Sequence, residues 1–79
     1  MDPNLIKKYI EDGLECEHVE VNGDGRHFEA VIVSALFRGK PKVRQHQLVY
    51  GALGDRMREE IHALSMRTLT PEEWQAEAH

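Results

Sequence analysis

The chain has 79 residues, with ten Lys and Arg against fourteen Asp and Glu for a formal charge of −4. That length fits one small domain with a thin core and leaves little room for a deep catalytic cleft. Apolar residues at 41% and charged residues at 30% mark a globular chain rather than a disordered one, and the acidic balance argues against coating nucleic acid by bulk charge.

Asp2 is placed to cap a first helix, with Pro3 in a first-turn position that tolerates a missing N–H. Leu5, Ile6, Tyr9 and Ile10 follow as one apolar stripe, and Gly13 is expected to end the helix in the left-handed conformation. Glu17 to Val21 alternates and reads as a short strand. Asn22-Gly23-Asp24-Gly25 is a turn signal, because Asn-Gly and Asp-Gly both accept positive φ. Phe28 to Phe37 is rich in β-branched and aromatic residues and apolar on both faces, as suits the middle strand of a sheet. Arg38-Gly39-Lys40-Pro41 breaks the pattern. A helical segment is predicted from there to about Glu60, since Val49, Leu53 and Met57 step by four and Leu48 and Ala52 widen the stripe. Gly51 and Gly54 weaken that helix by roughly 1 kcal/mol each relative to Ala and mark a bend or a close backbone approach. Ile61 to Thr68 alternates as a third strand. Thr70-Pro71-Glu72-Glu73 has the form of a capping box, so a short last helix carries Trp74.

The order is helix, strand, strand, helix, strand, helix. A hairpin joins the first two strands, and a helical crossover permits a parallel pairing of the second with the third. The predicted fold is α+β: a three-stranded mixed sheet with helices packed on one face, in a single domain spanning 1–79.

No run approaches the roughly 20 apolar residues of a membrane span, and the polar start Met1-Asp2-Pro3-Asn4 lacks the character of a signal peptide. One cysteine, Cys16, allows neither an internal disulfide nor a cysteine-rich zinc site. A reducing, cytoplasmic setting without membrane contact is expected.

Five histidines are many for so short a chain. His62, at the predicted start of the third strand, shares a face with Leu64 and Met66. It reads either as a histidine at the core rim bonded to a carbonyl or as a metal ligand through neutral imidazole. His27 follows the Gly-flanked turn and is either a solvated residue at a strand start or a second ligand. Asp24 in that loop reads as a turn residue rather than a ligand. Cys16 and His18 lie two apart where the first strand begins, so both could reach one metal, but two ligands do not close a zinc site. His46 reads as a helix-surface residue beside Gln45 and Gln47. Arg38, Lys40, Lys42 and Arg44 form a cluster of positives with no acid between them, read as a solvated helix start, an anion patch or a surface for an acidic partner. Gly51-Ala52-Leu53-Gly54 spells a nucleic-acid-binding Gly-x-x-Gly loop, but it offers no positive charge and fits the apolar stripe. No nucleophile–base pair, phosphate loop or His-Glu-x-x-His motif is present, so an enzyme is not expected.

A set of segments resembles the BolA family, and within it the short bacterial IbaG-type members. They are Gly23-Asp24-Gly25-Arg26-His27-Phe28, Phe37-Arg38-Gly39-Lys40, Val43 to Tyr50, Ile61-His62-Ala63-Leu64-Ser65-Met66 and Thr70-Pro71-Glu72-Glu73-Trp74. The likeness runs through nearly the whole chain in matching order. It implies a class II KH-like topology. It also implies pairing with a monothiol glutaredoxin around a shared [2Fe–2S] cluster, in iron–sulfur trafficking, iron homeostasis and acid stress. The glutaredoxin side supplies its cysteine and a glutathione thiolate. The BolA side supplies a C-terminal histidine, which carries over to His62, and a loop ligand, which carries over to His27. Family members with a loop cysteine have it where Asp24 stands, so the second ligand stays open between His27, Asp24 and a partner residue. Cys16 does not fall on a ligand position.

The chemistry agrees with that resemblance. Two neutral imidazoles cannot hold a cluster alone but can complete one that another protein carries, raising its potential as histidines do in Rieske centres. Ligation requires unprotonated imidazole, so acid is expected to weaken it. The resemblance also implies an alternative, a DNA-binding transcriptional regulator using Arg38, Lys40, Lys42 and Arg44. Without its cluster the protein is expected to be a monomer or weak homodimer.

Overall fold

The computed structural model describes residues 1–78. Helix α1 covers Pro3–Gly13, and the Asp2 carboxylate accepts a hydrogen bond from the Asn4 N–H at 2.9 Å, the expected cap. Strands β1 (His18–Gly23) and β2 (Phe28–Val33) form the hairpin, followed by a 3-10 turn at Ala35–Phe37. Helix α2 (Lys42–Leu53) leads through turns to a second 3-10 turn at Ile61–Ala63, then β3 (Leu64–Leu69) and α3 (Pro71–Glu77).

The sheet order is β1-β2-β3, with β1 antiparallel and β3 parallel to β2. The mixed sheet with β2 in the middle is therefore the expected one. Because side chains alternate across a strand, the register divides it into two faces. Val19, Ile32 and Thr68 lie in one row, and Val21, Ala30 and Met66 in the next. This face meets Ile6 and Ile10 of α1 and Val49 and Leu53 of α2 in the core. The other face begins with His18, Val33 and Leu69, and Trp74 of α3 stacks on the His18 ring at 4.9 Å between centroids. Helices α1 and α2 thus share one face as expected, while α3 closes a corner of the opposite one.

Four local expectations are corrected. The strand predicted to Phe37 ends at Val33: the Ser34 hydroxyl accepts the Leu36 N–H and donates to the Glu15 carbonyl, turning the chain so that Phe37 enters the core. The helix predicted to Glu60 stops at Leu53, because Gly54 takes φ 56°. Met57 still reaches the core, from a turn rather than a fourth helical step. The strand predicted from Ile61 begins at Leu64. Finally, Gly13 lies inside α1 without positive φ. Its role is steric, since a Cβ there would sit 2.8 Å from the Cα and carbonyl oxygen of Ala52. No close approach occurs at Gly51 or Gly54, where a Cβ would meet open space; the α1–α2 approach is at Gly13 and Ala52, and Gly54 instead ends the helix.

Gln45 is a polar residue inside α2 that alternation of apolar residues does not reveal. It is 4% exposed. Its amide N–H group donates to the carbonyls of Phe37 at 3.1 Å and Lys40 at 2.8 Å, and its oxygen accepts the Thr68 hydroxyl at 2.7 Å. One side chain therefore ties the approach to α2, the helix and β3. A signal was present: Gln45 stands four before Val49 on the buried stripe.

Candidate functional site

The loop between β1 and β2 is shaped by Asp24. Its carboxylate accepts the N–H of Arg26 at 2.8 Å and of His27 at 2.9 Å, and its own N–H donates to the His27 carbonyl at 3.2 Å. The His27 and Arg26 N–H groups hold this carboxyl below the usual aspartate range. The group is an exposed turn residue, as expected. Gly23 supports the same loop: a Cβ would lie 2.5 Å from the Phe28 ring and 2.6 Å from the His27 oxygen. Gly23→Ala is expected to displace the His27 backbone and destabilise the protein by about 1–3 kcal/mol, read as lost thermal stability together with shifted His27 NMR resonances.

His27 is exposed and directly precedes Phe28. Phe28 pairs with Leu64 across the parallel β2–β3 ladder. His62 lies two residues before Leu64, in the 3-10 turn, and is also exposed. The chain therefore brings these two imidazoles to the same end of adjacent strands, which lie about 4.8 Å apart. The expectation that His62 shares a strand face with Leu64 and Met66 is corrected. Ile61 and Ala63 pack against the core, and the turn leaves His62 outside between them. This geometry separates it from the buried face where a strand position would have put it.

The other candidates lie elsewhere. Cys16 precedes β1, and its thiol donates to the Leu14 carbonyl at 3.3 Å. Burial, with the Glu11 charge second, pushes it up to about 11, so it is a neutral thiol at neutral pH and a poor metal ligand. His18 faces the opposite side of the sheet, under Trp74, so the two do not converge. His46 is half-buried on α2, beside a groove lined by Lys42, Arg67 and Glu73. The stretch Gly51–Gly54 exposes no phosphate-binding loop, since Leu53 is in the core. Among the described residues, no three His, Cys, Asp or Glu side chains gather as a metal site. Two accessible imidazoles are at most two donors, too few to close a tetrahedral metal site.

The basic cluster is at the far end of the sheet, around the start of α2. Arg38 is bidentate on Glu72, with its Nε 2.8 Å from Oε1. Lys42 donates to the Thr68 carbonyl. Lys40 donates to the Leu36 carbonyl at 2.7 Å, and Arg44 reaches only the Gln47 amide oxygen at 3.4 Å. Of the four, Arg38 is neutralised by a carboxylate, and Lys40 and Arg44 retain unmatched charge.

The Arg38–Glu72 pair also fastens α3. Its capping box is complete, with Thr70 Oγ1 accepting the Glu73 N–H and Glu73 accepting the Thr70 N–H at 2.8 Å. Arg38 holds Glu72, and the Thr70 N–H holds Glu73, below the ordinary glutamate value of 4.5. Depressed carboxyls stabilise the fold above their unfolded value, and that contribution is lost as pH falls through the folded values. Helix α3 is therefore expected to loosen below about pH 4.5, seen as a shift of the indole resonance of Trp74, the one tryptophan. A resonance unmoved to pH 3 would refute this.

A family model described as BolA-like protein matches residues 8–73. The chain belongs to the BolA family. The acid stress protein IbaG of Escherichia coli K12 is 39% identical to this BolA-like chain over 75 residues, covering 94% of the chain and 89% of the relative. The solved structure of a BolA homologue from Coxiella burnetii superposes with a TM-score of 0.85 at 45% identity, covering 95% and 97% of the two chains. The DNA-binding transcriptional regulator BolA of Haemophilus influenzae is 43% identical over 60 residues, 76% of this chain and 58% of that one. No helix among the described residues is long and apolar enough to cross a membrane.

Proposed function

We propose that this BolA-like protein is a non-enzymatic iron–sulfur adaptor. It binds a monothiol glutaredoxin and completes the ligand set of a bridging [2Fe–2S] cluster through His62 and His27. The observation that carries this reading is the pair of exposed imidazoles at the neighbouring ends of β2 and β3. The partner supplies thiolates, from its cysteine and glutathione. Imidazoles replacing thiolates on one iron remove negative charge and favour the reduced cluster. With only two donors here, the protein holds the cluster only while the partner is bound. The name of the Escherichia coli relative, an acid stress protein, supports placing this activity in acid stress.

The test mixes the protein with a glutaredoxin carrying its [2Fe–2S] cluster and glutathione. A changed visible absorption and circular dichroism spectrum is expected, with a complex of one copy of each protein. An unchanged spectrum would dispose of the adaptor reading.

A second reading, DNA binding, is favoured by the name of the Haemophilus influenzae relative. It would use Arg38, Lys40, Lys42 and Arg44. Engagement of Arg38 by Glu72 and of Lys42 by Thr68 leaves few phosphate contacts, so any binding should have a shallow salt dependence. A duplex that fails to shift at low salt would retire it.

A further inference from the structure

Strand β3 is an edge of the sheet, with β2 on one side and no strand on the other. Successive residues of a strand turn their N–H and C=O groups to alternate sides. The Leu69 carbonyl accepts the N–H of Ser34, which follows β2, so Leu69, Arg67 and Ser65 face the ladder and Leu64, Met66 and Thr68 face outward. Two outward groups have partners beyond the sheet: the Leu64 N–H donates to the Ile61 carbonyl, and the Thr68 carbonyl accepts Lys42. The Met66 N–H and C=O and the Thr68 N–H have none among the described residues. This bare edge floors a groove of about 290 Å³ between α2 and α3, at the small end of the range for ligand pockets and suited to a single strand. Lys42 and His46, one turn apart on α2, form one wall. Glu73 and Glu77, one turn apart on α3, form the other.

We propose that this edge binds an extended peptide of another protein, added to the sheet as a fourth strand, with acidic side chains on one of its faces and basic side chains on the other. Main-chain bonds to Met66 and Thr68 supply the attachment, and alternate side chains supply the selection. A strand paired there sends alternate side chains to opposite faces of the sheet. Those level with Met66 point to the α2 wall, where Lys42 and the positive start of the helix favour a carboxylate. Those level with Arg67 point to the α3 wall, where Glu73 and Glu77 favour a cation. Arg67 pairs with Glu77, which leaves Glu73 the stronger of the two. Charge complementarity therefore selects a peptide of mixed, alternating sign. A phosphate backbone carries one sign and would lie against the acidic wall. A second copy offers no such strand, since β1 has no Lys or Arg and β3 no Asp or Glu. Lysine on a free edge discourages indiscriminate strand pairing, so Lys42 on the Thr68 carbonyl limits the site to a short segment. The groove does not include His27 or His62, and the proposal goes beyond the adaptor reading without depending on it.

The test is an NMR titration of the isotope-labelled protein with a capped six-residue peptide of strictly alternating Glu and Lys. Its control has the same composition with the three Glu in one block, which cannot present one sign to each wall. The alternating peptide is expected to shift the Met66 and Thr68 amides and to slow their hydrogen exchange. The block peptide should bind at least fivefold more weakly. His46→Glu and Glu77→Lys, which reverse the character of one wall each, should each cost at least fivefold in affinity for the alternating peptide. Met66→Pro removes an outward donor while keeping the ladder to β2, and should abolish binding; if it does not fold, the two charge variants still decide. Unchanged exchange at Met66 and Thr68, equal binding of the two peptides, or undiminished affinity in both charge variants would overturn the proposal. So would protection of the Met66 amide that rises with protein concentration alone, which would make the occupant a second copy. Displacement of the peptide by single-stranded polydeoxythymidine with equal protection of Met66 would assign the groove to nucleic acid instead.

Discussion

His62→Ala is expected to abolish the spectral change that the protein imposes on a glutaredoxin-bound [2Fe–2S] cluster while leaving the fold intact. The side chain is exposed on a 3-10 turn whose inward residues are Ile61 and Ala63. Its removal should change stability by no more than about 0.5 kcal/mol, as for other surface positions. Loss of function without loss of fold is the signature of a ligand. His27→Ala should have the same sense, leaving a cluster with one imidazole from this protein and a shortened lifetime. Asp24→Ala offers a graded case. It removes the acceptor for the His27 and Arg26 N–H groups and so frees the loop without removing an imidazole. Supporting residues of this kind typically matter tenfold or more. If Asp24→Ala abolishes the signal and His27→Ala does not, the loop ligand is the carboxylate. A retained signal in His62→Ala would end the assignment of His62.

Gln45→Leu is expected to be the most destabilising conservative change in the protein. The substitution keeps size and apolar packing but strands the Lys40 carbonyl and the Thr68 hydroxyl, which Gln45 now satisfies. Leaving buried polar groups unpaired costs about 1–3 kcal/mol each, so a loss of about 2–4 kcal/mol should appear in urea unfolding. A domain of this size has roughly 4–12 kcal/mol in total. Thr68→Val on the Gln45→Leu background removes one stranded group and should recover part of the loss, giving a clear coupling energy. Additive effects of the two changes would show that the hydrogen bond contributes little. Because Gln45 also fixes the segment between Phe37 and Lys40, its loss should loosen the start of α2 before the rest of the helix.

The local signals in the sequence are of short range, and they fixed the elements well. Asp2 with Pro3 and the Thr70–Glu73 box each place a helix start by chemistry confined to a few residues. The apolar run after Phe28 marked the central strand, since burial on both sides leaves no room for a polar alternation. The resemblance, resting on segments spread along the chain, pointed to the family that the match over residues 8–73 establishes. Periodicity failed where the chain reaches the core without a regular element. Met57 keeps the four-residue step of α2, yet Gly54 has already ended that helix. Ile61 alternates with Ala63 as in a strand, yet the two pack inward from a 3-10 turn.

Residue types alone determined that this chain has five histidines and one cysteine, too few thiolates to hold an iron–sulfur cluster by itself. Only the tertiary structure decided which histidines stand together. The parallel pairing of Phe28 with Leu64 brings positions 27 and 62 to one end of the sheet across more than thirty intervening residues. The same packing sends His18 beneath Trp74 and draws Gln45 inside. Local sequence encodes backbone preference, whereas proximity across the chain arises from the register that buries the apolar faces together.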